Sequence, residues 1–159
     1  MRQRLSPKGG FSLSPQTADN SSLTVYASGT AYSLTNTAAL LDFGTTDPSL
    51  TITQPGTYLL LGHAVLDYNA ATFAASQAVT LKLRRTNNTA ADITSASVVV
   101  DTEIVTTVSF SMGAFAIPPV VYTTSNANDI IQVFGSVGTA PSAGSLDAVA
   151  ASIVAVRLT

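Results

Sequence analysis

His63 is the one histidine in this chain of 159 residues. Imidazole chemistry would need it either as a general base beside a serine and a carboxylate, or as a metal ligand repeated in several copies of the chain. The residue lies inside Leu59-Leu60-Leu61-Gly62-His63-Ala64-Val65-Leu66. In so apolar a run a charged ring is costly, so the expected state is a neutral imidazole with one hydrogen-bond partner. Asp101 and Glu103 share one face of a possible strand, and Asp92 is near them in sequence. Paired carboxylates can act as acid and base or hold calcium. A glycosidase would also need an aromatic-lined cleft, and the chain has no tryptophan, so a solvated acidic face is expected. Gly135-Ser136-Val137-Gly138 reads as a hairpin-like turn, not the strand-to-helix junction of a phosphate loop. Lys82 and Arg84 fall on one side of their strand, available for solubility or for the rim of an acidic partner surface. Arg85 points the other way and then needs a carboxylate. These residues assign no catalytic site, no metal ligand and no cofactor, and the chain is expected not to be an enzyme.

The elements that must position these groups are strands. β-rich runs separated by turn residues recur from Leu23 onward, and no window of helical length keeps a period of 3.6 residues. Strands are predicted over residues 23–27, 39–43, 49–53, 57–68, 77–85, 95–101, 105–112, 119–124, 129–135 and 148–158. Ten short strands mean an antiparallel sandwich or jelly roll. Pro118-Pro119 cannot donate to a ladder and should interrupt pairing. The segments 69–76, 86–97 and 136–147 are expected to be loops, the likeliest contacts at a binding tip.

The strands fall into two kinds. In 77–85, Val79, Leu81 and Leu83 alternate with Thr80, Lys82 and Arg84, as in a sheet with one wet face. In 57–68, Tyr58, Leu60, Ala64 and Leu66 line one side while Leu59, Leu61, His63 and Val65 line the other. The runs around Ile131 and Val133 and around Val154 and Val156 are likewise apolar on both sides. These three strands are expected to share an inner sheet, packed on the core one way and on further copies of the chain the other.

Bulk properties bound the partners. The length suits one core. Charged residues make up 10% of the chain, with a net charge of -2, against about 25% charged residues in an average domain. Lys82, Arg84 and Arg85 form the only compact basic group, too small for a nucleic-acid footprint. There are no cysteines to form a disulfide framework, and no apolar run approaches the roughly 18 residues of a membrane helix. Mean hydropathy is nonetheless +0.35, as expected of a chain that hides apolar surface between subunits. Residues 1–21, with Arg2, Arg4, Lys8 and Phe11 among prolines and glycines, read as an extended arm before a domain at 22–159. The arm has the cations of a secretory leader but no apolar run behind them.

The order Phe43, Leu50-Thr51-Ile52 and Pro55-Gly56-Thr57-Tyr58, followed by a long apolar strand, resembles the complement-globular-head and tumour-necrosis-factor jelly-roll superfamily. There a Gly-x-Tyr opens the central inner strand. Val120-Val121-Tyr122, then Asn128-Asp129-Ile130-Ile131-Gln132-Val133, is similar to that family's strand, Gly-Asp turn and strand, with Asn128 in place of glycine. The resemblance covers residues 22–159. It implies an all-β, ten-strand antiparallel TNF-like jelly roll that assembles as a homotrimer. The interface would be formed by Tyr58, Leu59, Leu61, His63, Val65, Ile131, Val133, Val154 and Val156. The Ala, Ser and Thr-rich composition, the basic arm and Leu81-Lys82-Leu83-Arg84-Arg85-Thr86-Asn87-Asn88-Thr89 look more like phage-encoded versions of this fold. That likeness implies a decoration or cement protein on the outer capsid surface of a virion, made in the host cytoplasm without a signal peptide. Arg2, Arg4, Lys8 and Phe11 would contact the major capsid protein or another virion protein. The alternative is the receptor- or glycan-binding tip of a phage fibre. Neither reading includes a membrane or nucleic-acid partner.

Overall fold

In the computed structural model of the chain, residues 22–100 and 108–158 are described. They form nine strands: β1 (Ser22–Ser33), β2 (Ala39–Leu40), β3 (Ser49–Ile52), β4 (Gly56–Thr72), β5 (Gln77–Arg85), β6 (Ala91–Val100), β7 (Ser109–Thr124), β8 (Asp129–Val137) and β9 (Ala143–Arg157). The first sheet has the order β1-β9-β4-β7; the second runs β2-β8-β5-β6, with β3 also paired to β8. All the strand pairs are antiparallel.

The core between the sheets follows the alternation of the sequence. β4 contributes Tyr58, Leu60, Ala64, Leu66 and Tyr68, β5 contributes Val79, Leu81 and Leu83, and β9 contributes Ile153 and Ala155. Gly62 is the one inward position of β4 without a side chain, because a Cβ there would lie 2.9 Å from Leu83 Cδ2. Thr80, Lys82 and Arg84 stay on the far side of β5, as the alternation requires.

Three expectations need correction. β8 is not in the sheet of β4 and β9; it pairs with β2, β3 and β5 in the second sheet. On its second face, Ile130, Gln132, Phe134 and Ser136 are half-buried, and the Arg84 guanidinium carbon stands 5.6 Å from the centre of the Phe134 ring. Pro118-Pro119 interrupts the pairing as expected, since the ladder passes from Leu60–Val120 to Gly62–Ile117 without them, but it does not divide two strands. Residues 109–112 of the predicted run 105–112 and the run 119–124 belong to one long strand, β7, which passes the prolines through a register shift between Leu60 and Gly62 of β4, while residues 105–107 lie outside the described residues. The prolines are tolerated because β7 is the edge of its sheet among the described residues, with no strand of theirs paired to its other side. The three segments expected to be loops are shorter than read, because 69–72, 91–97, 136–137 and 143–147 belong to β4, β6, β8 and β9. They also do not share a tip: Gly138 N donates to Ala78 O at one end, while Thr86 N donates to Ile130 O at the other.

Candidate functional site

The face of the first sheet turned away from the core is the most unusual surface of the molecule. Strand register lines its side chains up in rows across β9, β4 and β7. Val156, Leu59 and Val121 form one row; Val154 and Leu61 form the next; Ser152, His63 and Ala116 follow, then Ala150, Val65 and Ala114. On β1, Tyr26 stands opposite Ser152. Tyr26 is 63% exposed, Val121 60% and Leu61 37%. Large apolar side chains thus stand exposed or half-buried in adjacent rows of one face.

Of the residues expected at a subunit interface, Leu59, Leu61, His63, Val65, Val154 and Val156 occupy this face. Tyr58, Ile131 and Val133 do not. They are 3%, 0% and 0% exposed and fill the space between the sheets, so no second copy can reach them. Tyr58 has the wrong parity on β4, and its hydroxyl donates to Gln54 O at 2.8 Å. Ile131 and Val133 project inward from β8 in the opposite sheet. Tyr26 and Val121 belong to the exposed face but were missed, since each sits on a strand whose other outward residues are mostly small or polar.

His63 Nδ1 lies 2.9 Å from Ser152 Oγ, directly across the β4–β9 ladder. Among the described residues no carboxylate is bonded to this pair, which there lacks the third group that orients a hydrolytic base. One partner on a half-buried ring is the arrangement expected for a structural imidazole.

The charged candidates resolve into ion pairs. Asp92 accepts from Lys82 Nζ at 2.8 Å and from Arg84 at 3.3 Å, an exposed cluster on the outside of the second sheet. Asp101 and Glu103 lie outside the described residues, as do Arg2, Arg4, Lys8 and Phe11 of the arm. Arg85 has the carboxylate it needs, Asp129, at 3.8 Å. Asp129 is fully buried and also accepts from Asn88 Nδ2, Tyr122 Oη and Thr124 Oγ1 at 2.8, 2.6 and 2.6 Å. Burial pushes the Asp129 carboxyl upward, but the bonds from Asn88, Thr124 and Tyr122, with Arg85 beside them, outweigh it and hold the group below its ordinary range. Burial, followed by the bond to Asp129, raises the Tyr122 phenol. This network ties the β5–β6 turn to the β7–β8 turn, and Asn87 adds a bond from its Nδ2 to Asn128 O. Among the described residues no group of three or more His, Cys, Asp or Glu side chains comes together, and no helix is long and apolar enough to cross a membrane.

No protein-family model matches the chain, and no curated protein matches it in sequence. Solved structures do match in fold. The globular domain of zebrafish complement 1qA protein aligns with a TM-score of 0.54 at 14% identity, covering 87% of this chain and 96% of that one. The infectious bursal disease virus VP2 subviral particle aligns with a TM-score of 0.50 at 13% identity over 95% of this chain. The chain spans only 38% of the length of that viral protein. With the two antiparallel sheets described above, these alignments identify an all-β jelly-roll sandwich of the TNF-like type.

Proposed function

We propose that the chain is a homotrimeric structural protein of a phage virion, decorating or cementing the outer surface of the head. The observation that carries this reading is the apolar face of β4, β7 and β9. Isolated surface apolar residues are ordinary, but a contiguous uncovered patch marks a contact surface. A flat face on a closed sandwich is most simply covered by copies of itself. The fold is shared with a complement head and with a protein of a viral particle, and the second supports a place on a virion. Adhesion would come from three arms, residues 1–21, whose weak single contacts are multiplied by effective concentration once the trimer docks.

The arm provides the test. Removing residues 2–20 should leave the sedimentation coefficient that of a folded trimer and abolish co-sedimentation with phage heads lacking this chain. A truncated chain that still decorates those heads would contradict the arm mechanism. Glycan-array binding that survives the truncation would instead favour a fibre tip.

A further inference from the structure

The two ends of the sandwich differ in rigidity and in charge. At one end Ser22 of β1 pairs with Val156 of β9, Gly56 of β4 pairs with Thr124 of β7, and Thr86 N donates to Ile130 O. The start of β1, the end of β9 and the β5–β6 and β7–β8 turns therefore lie together there. The β4–β5 and β8–β9 turns lie at the opposite end, where Gly138 N donates to Ala78 O and Ser142 N to Thr72 O. Residues 1–21 join the first end through Ser22, and carry Arg2, Arg4 and Lys8 against one carboxylate, Asp19.

The Ser22 end is held in one shape at a cost. Thr89, exposed in the β5–β6 turn, has φ 76°, a left-handed conformation rare for a β-branched residue. Asn88 at φ 47° and Asn128 at φ 62° share that region. Side-chain bonds fix all three: Arg85 Nε donates to Thr89 O at 3.0 Å, Asn88 Nδ2 to Asp129 Oδ1 at 2.8 Å, and Asn87 Nδ2 to Asn128 O at 2.6 Å. Strain of this kind costs about 1–3 kcal/mol per residue and is concentrated at ligand clamps and other functional sites. The hydrophobic core does not require it, since no residue of 86–90 or 125–128 belongs to that core.

Charge is graded along the same direction. Arg84, Arg85 and Arg157 lie toward the Ser22 end and Lys82 at mid-strand, and no Lys or Arg of the described residues lies beyond it. The exposed Asp92 is already paired with Lys82 and Arg84, and Asp42 and Asp47 stand beside the middle of β8. Toward the opposite end, Asp67 faces Asp147 across the β4–β9 ladder. We propose that the Ser22 end is a docking end, whose β5–β6 and β7–β8 turns seat on an acidic protein surface while the cations of the arm lie along it. This rests on the virion reading above and adds the orientation of the domain, with the β4–β5 and β8–β9 turns facing away from the shell. In a cyclic trimer the three docking ends are equivalent and engage together.

The chain has no cysteine, so one introduced thiol marks one end. Ala127→Cys in the β7–β8 turn and Ala75→Cys in the β4–β5 turn replace small exposed residues. Each variant is coupled to maleimide-polyethylene glycol, checked by sedimentation for the assembly state of the parent, and titrated onto phage heads lacking this chain. Coupling at Ala127→Cys should weaken binding about tenfold or more, whereas coupling at Ala75→Cys should change it by no more than about twofold. The affinity of the parent should fall about tenfold or more between about 0.05 and 0.5 M NaCl, because the contact is between opposite charges. A block by polyethylene glycol at Ala75→Cys alone, at both ends or at neither would overturn the assignment of the docking end. Binding indifferent to salt would overturn the acidic chemistry of the partner. A parent chain that fails to bind the heads at all would overturn the virion reading, and this inference with it.

Discussion

Aspartate in place of Leu61 should yield a folded monomer, whereas the parent chain, on the proposed assembly, should sediment as a trimer. Leu61 projects from the middle of β4 on the face away from the core, in register with Val154 and one row from Leu59, Val156 and Val121. It is 37% exposed within its own chain, so the domain loses little when the side chain becomes polar, within about 1 kcal/mol. In the proposed trimer the same position is closed off by neighbours, and a carboxylate there is desolvated without a partner. The cost is then several kcal/mol per copy. At about 1.4 kcal/mol per tenfold change, the association midpoint shifts by roughly three decades of concentration or more. The informative contrast is Ile131→Asp. That residue is fully buried between the sheets, and the substitution should unfold the domain and leave no soluble monomer. Sedimentation equilibrium and circular dichroism on the two variants separate the roles. A parent chain that is monomeric at all concentrations, or a Leu61→Asp protein that remains trimeric, rules out this face as the interface.

The two variants also mark how far the sequence could be read. Parity along a strand is visible in one dimension, which is why the two faces of β4, β5 and β9 were legible from residue types alone. Sheet membership is not. The run around Ile131 and Val133 has the same two-sided apolar signature as β9, yet β8 belongs to the other sheet, and Phe134 on its spare face lies against Arg84. A guanidinium over an aromatic ring leaves no mark in a hydrophobic period. The need of Arg85 for a carboxylate could be foreseen from its inward parity, but that Asp129 would supply it depended on the β5–β8 register.

The Asp129 network should dominate the stability of the domain and its acid limit. Asp129→Ala takes the acceptor from Asn88, Tyr122 and Thr124 and leaves the Arg85 guanidinium, 20% exposed, without its counter-charge. Breaking a buried ion pair from one side costs about 3–5 kcal/mol, against a total of about 5–15 kcal/mol for a typical domain. At about 2–4 °C per kcal/mol for a chain of this size, the thermal midpoint should drop by about 6–20 °C. Asp129→Asn keeps the shape and should lose less. It also tests the pH dependence, whose sign follows from the direction of the shift. The folded carboxyl lies below its ordinary value, so the folded state holds the anion more strongly than the unfolded chain does. Its contribution is fully present above the unfolded value of about 3.9 and is lost as pH falls through the lower folded value. Urea unfolding at several pH values between 7 and 2.5 should therefore show the gap between parent and Asp129→Asn constant above about pH 5 and closing below about pH 4. A gap that stays constant into acid would mean that the carboxylate charge contributes nothing, and that shape and hydrogen bonding alone hold the β5–β6 and β7–β8 turns together.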